Sequence, residues 1–282
     1  MSVTALSSAW RDWIRDGLER GCSQQQLVDV MLQNEFEANF ARAAVSVVAL
    51  EPRGAAAQKP PTEPMVPHRF PLDGNTVPGL DRPVQVLFRL ERPRVILFGN
   101  ILSEQECEQI INLSRNKVER STTVDNATGK SVEHEARTSE GTFFLLNENE
   151  LIERIDRRLA ALLQHPIECG EGLQILHYNV GGEYRPHFDY FDPNIPGSKP
   201  HLEERGQRIG TLVMYLNDVE AGGETIFPDL GLSVAPRRGH GVYFEYSDDS
   251  GTLDPLSLHG GAPVIRGDKW IATKWLRQRA SR

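Results

Sequence analysis

The chain has 282 residues, of which 39% are hydrophobic and 25% charged, proportions typical of a folded globular protein rather than a disordered one. Its net charge of −8 and isoelectric point near 5.6 argue against a nucleic-acid partner, because phosphate binding requires a basic surface. The longest apolar run, residues 43–50, is too short to cross a bilayer, so we expect no membrane-spanning segment.

The cysteines and the first residues bear on the compartment. Cys22, Cys107 and Cys169 lie far apart and lack the C-x-x-C spacing of a zinc or redox site. This usage fits a reducing compartment, where thiols stay free. Charged residues at positions 11, 12, 15 and 16 interrupt any apolar signal-peptide core. We therefore expect no signal peptide and a cytoplasmic protein.

The first 50 residues predict a small helical region. Trp10, Trp13 and Leu18 fall on one helical stripe, and Ser-Gln-Gln-Gln at 23–26 has the pattern of a capping box that starts a second helix. A third apolar stripe runs over 36–48. Three short helices cannot hide their apolar faces alone, so we expect them to pack on each other and on the larger domain or a second subunit. A homodimer is therefore one open alternative.

Residues 51–85 are rich in proline, glycine and alanine and predict a linker without a packed core.

The remaining residues, 86–282, predict one domain that opens with a strand at 94–98. Capping patterns then start two helices, one from Ser103 through Ser114 and one over 147–163.

After residue 172 the segments are short, alternate in polarity and are broken by glycine, proline and aspartate, the pattern of an antiparallel sandwich. Helices followed by strands predict an α+β fold with a mostly β core. We expect a double-stranded β-helix, or jelly roll, buttressed by helices and preceded by the small N-terminal helical region.

Two segments of this domain carry residue types that bind metals. His187 and Asp189 are two residues apart, and residues i and i+2 of a strand point to the same side. His259 would come from another strand, and Lys269 follows it ten positions later. Two histidines and one carboxylate on one face of an ion are the ligand set of non-haem Fe(II) oxygenases, and they leave the opposite face open. The lysine fits the far end of a dicarboxylate cosubstrate.

Four stretches in order extend this pattern: 173–190, which contains HFDY; 208–219; GGETIFP at 222–228; and 259–275, which contains HGGAPVIRGDKW. Together they resemble the catalytic domain of prolyl 4-hydroxylases, of the bacterial α-subunit type, a branch of the Fe(II)- and 2-oxoglutarate-dependent dioxygenases. The resemblance covers roughly the C-terminal two thirds of the chain. It implies Fe(II) bound by His187, Asp189 and His259, with 2-oxoglutarate and O₂ as cosubstrates and ascorbate as reductant.

The resemblance also implies a cosubstrate site. Lys269 matches the lysine that pairs with the C5 carboxylate of 2-oxoglutarate, a charge-assisted contact inside the barrel mouth. Tyr178 and Thr225 resemble the hydroxyl residues that complete this carboxylate site. Both residue types also serve as ordinary core residues of a strand and a turn.

Four further residues correspond to positions that meet the substrate. Tyr184, Arg208 and Trp275 match peptide-contacting positions, and Arg137 lies in a stretch that resembles a mobile substrate-covering segment. Aromatic residues and arginines at strand ends are also common packing and rim residues.

The resemblance therefore favours hydroxylation of peptidyl-proline at C4, with a proline-containing peptide or protein as partner. The same fold also hydroxylates free proline, pipecolate or similar amino acids, which would need a buried anchor such as Arg137 or Arg208. A third alternative is an oxygenase-based sensing or docking protein that acts through its N-terminal helices.

Overall fold

The computed structural model describes residues 8–19, 23–34, 36–50, 74–124, 131–133, 137–247 and 251–280. The chain divides into two compact units, residues 1–64 and 65–282. Cys22 and most of the predicted linker, 51–73, lie outside the described residues. No helix in these described ranges is long and apolar enough to span a bilayer.

The three N-terminal helices are confirmed and have a core of their own. They are α1 (Ser8–Glu19), α2 (Gln24–Gln33) and α3 (Ala38–Leu50). The predicted capping box is present, because Ser23 Oγ accepts from the Gln26 amide while the Gln26 side chain accepts from the Ser23 amide. Apolar residues of all three helices meet in one cluster, with Trp10 packed edge-on against Phe36 at 4.9 Å.

In its described residues, the second unit contains three α-helices and seventeen strands. The helices are α4 (Glu104–Ser114), α5 (Glu150–Leu163) and α6 (Lys199–Arg205). The strands are β1 (Thr76–Pro78), β2 (Pro83–Glu91), β3 (Arg94–Gly99), β4 (Glu119–Arg120), β5 (Thr122–Val124), β6 (Ser131–Glu133), β7 (Glu140–Phe144), β8 (Leu173–Tyr178), β9 (Tyr184–His187), β10 (Arg208–Tyr215), β11 (Ala221–Gly222), β12 (Thr225–Phe227), β13 (Leu232–Val234), β14 (Gly241–Glu245), β15 (His259–Gly261), β16 (Val264–Arg266) and β17 (Lys269–Arg277).

All strand pairings are antiparallel, and two sheets form the sandwich. The large sheet has the order β1-β2-β3-β14-β10-β17-β8-β7-β4, and the small sheet has the order β13-β12-β15-β9. One apolar cluster joins them, with Tyr215 and Phe244 from the large sheet and Phe227 and Val234 from the small one. A second cluster joins the large sheet to α4 and α5. The predicted jelly roll with buttressing helices is confirmed.

The strands β10 and β17 differ from the expected alternating pattern. Every residue of β17, and every residue of β10 from Gly210 onward, is buried. Helices cover one face of these central strands and the small sheet covers the other, so neither face is exposed to water.

The last part of the predicted linker belongs to the sheet. Strand β1 and the first three residues of β2 lie within 51–85, and they pair with each other. Val84 is fully buried in the core between sheet and helices. The prolines and glycines around this hairpin led composition to predict a linker. The strand pairing depends instead on contacts with residues that are distant in sequence, which composition does not reveal.

Buried charges hold this hairpin to the helices. The guanidinium of Arg158, on α5, is 1% exposed and donates to both carboxylate oxygens of Asp81 and of Glu106. Burial alone would raise the pKa of Glu106, but the hydrogen bonds from Arg158 and the Ser103 amide lower it to about 2. The ion pair therefore links the β1–β2 turn, α4 and α5.

We predict that Arg158→Met lowers the free energy of unfolding by about 3–5 kcal/mol, because Glu106 would remain charged and buried without its main partner. Arg157→Met is the matched control, because Arg157 is exposed on the same helix and its ion pair is with Glu153, which is also exposed. Urea unfolding measures both. Equal stability of the two variants would contradict a structural role for the Arg158 cluster.

Candidate metal centre

The predicted ligands come together where β9 and β15 pair. His187 lies directly opposite His259 in this antiparallel pair, and Asp189 follows two residues after His187. Their ligand-type atoms all lie within 4.8 Å of one another. The carboxylate stands between the rings, with Oδ1 3.4 Å from His187 Nε2 and Oδ2 3.5 Å from His259 Nε2. Phe188, between the two ligands, points outward and is 39% exposed.

Backbone carbonyls orient both imidazoles. His187 Nδ1 lies 2.8 Å from the Arg185 oxygen, and His259 Nδ1 lies 3.0 Å from the Ser257 oxygen. A carbonyl only accepts, so each Nδ1 carries the proton and each Nε2 offers a lone pair to the shared space. Burial also lowers the pKa of His187, which favours the neutral form that binds metals.

Asp189 is the charged member of the set. Burial alone would raise its pKa, but attraction to His259 and His187 in their protonated forms and hydrogen bonds from them outweigh this effect and hold the pKa well below its usual value, and a bound metal ion would take the place of that positive charge. Two neutral imidazole nitrogens and one ionised carboxylate, buried and facing one point, suit a divalent transition metal such as Fe(II).

A cavity of about 50 Å³ opens beside these ligands. Nine of the ten residues predicted to form the site line it: Arg137, Tyr178, Tyr184, His187, Asp189, Thr225, His259, Lys269 and Trp275. The tenth, Arg208, lies behind Trp275 with its guanidinium 4.2 Å from the indole ring.

Lys269 reaches this cavity because side chains alternate along β17. Lys269, Ile271, Thr273 and Trp275 line the cavity, whereas Lys274 points to the helix side and pairs with Asp156 at 2.7 Å. Lys269 is 3% exposed, and burial lowers its pKa to about 8, although Glu224 opposes this effect. In the part of the chain that the structure describes, no carboxylate forms an ion pair with it.

Hydroxyl groups surround this lysine. Tyr178 lies opposite Lys269 in the β8–β17 pair, with its ring centroid 5.4 Å from Nζ. Thr225 Oγ1 accepts a hydrogen bond of 2.8 Å from the Tyr215 hydroxyl, which leaves the threonine proton free to donate into the cavity. The end of the cavity around Lys269 therefore offers a cation and hydroxyl donors to an anion.

The chain resembles known proteins in these residues and around them. Residues 173–277 match the model of the 2OG-Fe(II) oxygenase superfamily. Probable prolyl 4-hydroxylase 3 of Arabidopsis thaliana is 43% identical over an alignment of 203 residues that covers 65% of this chain and 69% of that protein. Prolyl 4-hydroxylase 5 of the same plant is 41% identical over an alignment of 202 residues that covers 65% of this chain and 68% of the relative. The chain belongs to the prolyl 4-hydroxylase family.

A solved structure agrees with this assignment. The viral collagen prolyl hydroxylase of Paramecium bursaria Chlorella virus-1, in complex with 2-oxoglutarate, superposes with a TM-score of 0.51 at 29% identity. The match covers 65% of this chain and 95% of the viral one. The protein is thus a 2-oxoglutarate-dependent dioxygenase, which uses Fe(II), 2-oxoglutarate and O₂. A bacterial origin stays a prediction.

Among the residues predicted to contact the substrate, Tyr184 and Arg137 lie beside the metal ligands, whereas Arg208 is engaged in an ion pair. Tyr184 stacks on His187 with the ring centroids 3.6 Å apart, and the buried Arg137 lies over the Tyr184 ring at 4.9 Å. Arg208 instead forms a bidentate pair with Glu171, at 2.8 and 2.9 Å. A substrate contact of Arg208 stays a prediction, and the contact that the structure shows for it is the ion pair with Glu171.

Sequence reasoning missed three polar residues that contact Asp189 or Arg208. Thr211 and Tyr246 contact the carboxylate of Asp189, and Glu171 pairs with Arg208. The only signal for Thr211 was one hydroxyl in the apolar strand β10, and Tyr246 merely ends the run GVYFEY. Nothing in the local pattern distinguishes Glu171 from a surface residue.

We predict that His259→Ala, Asp189→Ala and His187→Ala each abolish tight Fe(II) binding and turnover but leave the fold intact, because each removes one ligand and little apolar contact. Calorimetric titration of the apoprotein with Fe(II) under anaerobic conditions tests this. His240→Ala is the control, since this half-buried histidine lies outside the ligand set. Unchanged iron affinity of His259→Ala would show that the third ligand lies elsewhere.

Proposed function

We propose that this dioxygenase hydroxylates proline residues of a peptide or protein at C4. The observation that carries the proposal is the roughly 40% identity to plant prolyl 4-hydroxylases over about two thirds of the chain. The family match over residues 173–277 contains every metal and cosubstrate residue. The likeness to a viral enzyme whose name gives collagen as substrate supports the same substrate class.

In this proposal, His187, Asp189 and His259 hold Fe(II), and Lys269 with Thr225 and Tyr178 holds the C5 carboxylate of 2-oxoglutarate. The metal and its cosubstrates supply the oxidising power when bound. The chain would place the cosubstrate by charge and hydrogen bonds in the cavity beside the ionised Asp189. Ascorbate is proposed as the reductant that restores Fe(II).

The substrate would reach the iron beside Tyr184, Trp275 and Arg137, which line the cavity on the side of the ligands. Trp275 is an aromatic residue of the kind that packs against proline rings, whereas the Tyr184 ring already contacts His187 and Arg137 and would meet the substrate with its edge or hydroxyl. Arg137 donates to Gln174 and Ser139, so its guanidinium is held in place close to Tyr184. Arg208 supports this surface from behind Trp275.

Two further proposals concern the cellular setting. A cytoplasmic location is consistent with Cys107 and Cys169, both of which are free thiols. A homodimer through the N-terminal helices stays a prediction, and analytical ultracentrifugation of the full chain would decide it.

We predict succinate release and a mass gain of one oxygen atom when the enzyme is given Fe(II), 2-oxoglutarate and proline-containing peptides, with the new hydroxyl at C4 by NMR. The same peptides with alanine in place of proline are the matched control and should stay unmodified. Hydroxylation of free proline or pipecolate, with none of the peptides, would instead establish a free imino acid as substrate and overturn the proposal.

We predict that Lys269→Met raises the KM for 2-oxoglutarate roughly 10- to 150-fold, which corresponds to the loss of one charge-assisted contact of about 1.5–3 kcal/mol. Iron affinity should stay unchanged. Arg266→Met is the control, because Arg266 is exposed and pairs with Glu220 on the surface. An unchanged KM with weakened iron binding would assign Lys269 a structural role.

The pKa of Lys269 gives the same experiment a pH dependence. The protonated lysine binds the anion, and this form is lost as the pH rises through about 8. The kcat/KM for 2-oxoglutarate should therefore fall above that pH in the wild type. The Lys269→Met variant should lack this fall.

A further inference from the structure

The two oxygens of the Asp189 carboxylate have different surroundings. Oδ2 lies 2.9 Å from Trp275 Nε1, 2.8 Å from Thr211 Oγ1 and 3.2 Å from the Tyr246 hydroxyl. Each oxygen also lies near one imidazole, with Oδ1 3.4 Å from His187 Nε2 and Oδ2 3.5 Å from His259 Nε2, and among the described residues Oδ1 has no other side-chain contact. All the hydrogen-bond donors around this carboxylate therefore address one oxygen.

The positions of the protons show how Oδ2 is used. The indole N–H of Trp275 can only donate, and the ionised Asp189 can only accept. Thr211 and Tyr246 also contact each other, so one hydroxyl proton lies between them. Because the Thr211 contact to Oδ2 is the shorter one, the simplest arrangement has Tyr246 donating to Thr211 and Thr211 donating to Oδ2. Two hydrogen bonds then occupy both in-plane lone pairs of Oδ2.

Packing and further hydrogen bonds hold these donors in place. Thr211 and Tyr246 are fully buried, and Thr211 lies opposite Trp275 in the β10–β17 pair. The Trp275 ring is covered by Arg208, whose orientation is set by its bidentate pair with Glu171. Side chains locked by packing and by further hydrogen bonds give the precise placement that a metal ligand needs.

We propose that Thr211, Tyr246 and Trp275 are positioning residues that engage Oδ2 of Asp189 in hydrogen bonds, so that this carboxylate binds the metal as a one-oxygen ligand through Oδ1. The inference rests on the proposed metal site. A carboxylate bound through both oxygens would take a fourth coordination position. Binding through one oxygen, together with two histidines, keeps three positions for a 2-oxo acid and O₂.

The same contacts give Trp275 a double role. The Trp275 N–H donates to Asp189, and the indole ring also lines the cavity. The residue can therefore orient the ligand through its N–H and contact a substrate through the ring face that Arg208 does not cover. A substrate contact through the ring would not require the N–H. A variant that keeps an aromatic ring but lacks the N–H therefore separates the two roles.

The test measures Mn(II) binding to the apoprotein in the absence of 2-oxoglutarate. The electron paramagnetic resonance signal of free Mn(II) reports how much of the metal remains unbound. Thr211→Val removes the hydroxyl at similar shape, and Trp275→Phe removes the N–H but keeps an aromatic ring. Each should weaken Mn(II) binding about 10-fold, and the double variant by up to about 100-fold. Thr211→Ser retains the hydroxyl and should bind like the wild type.

Tyr215→Phe is the matched control, since it removes a buried hydroxyl that contacts Thr225 and not Asp189. Its Mn(II) affinity should equal that of the wild type. The Co(II) absorption spectrum is a second readout, because a freed Oδ2 would let the carboxylate chelate and would raise the coordination number in Thr211→Val and Trp275→Phe only.

The outcomes separate the two proposals. A wild type that binds no Mn(II) would remove the metal site and this inference with it. A wild type that binds Mn(II), with Thr211→Val and Trp275→Phe equal to it in affinity and spectrum, would overturn the inference alone. If Thr211→Val fails to fold, as thermal unfolding would reveal, Trp275→Phe compared with Tyr215→Phe decides the question.

Discussion

The antiparallel pairing of β9 with β15 is the contact on which the site depends. It places His187 directly opposite His259, and the extended chain beyond β9 brings Asp189 to the same point. Neither strand exceeds four residues, so their register cannot be fixed by their own hydrogen bonds alone. The packing of the small sheet against the large one, through Phe227 and Val234, holds it in place.

The large sheet supplies the rest of the site through the alternation of side chains along one strand. Residues 269, 271, 273 and 275 of β17 face the cavity, while the intervening residues pack against the helices. One strand therefore contributes the cation for the cosubstrate, at one end, and the indole beside Asp189, at the other. A slip of one residue would exchange Lys269 for Trp270 and direct Lys274 into the cavity.

Buried charge is distributed unequally in this domain. Arg158, Arg208 and Lys274 each have a carboxylate partner, and these pairs join elements that are distant in sequence. Lys269 has none among the described residues, and burial lowers its pKa to about 8. A buried cation without a partner is unfavourable in the free protein, and an anionic ligand would remove this penalty. The cost of burying Lys269 is thus tied to the binding of the cosubstrate.

Local features could be read from the sequence alone: the capping boxes at Ser23 and Ser103, the His-x-Asp pair and the lysine ten positions after His259. The caps and the His-x-Asp pair depend on residues at most three positions apart, where spacing dictates direction. The folded chain was needed to show that β1 and the start of β2 belong to the sheet and not to the predicted linker, that Arg208 pairs with Glu171, and that Thr211 and Tyr246 contact one oxygen of Asp189. These contacts join segments far apart in the chain. The identity of a single threonine or glutamate does not indicate which residue the register of the sheet will place beside it.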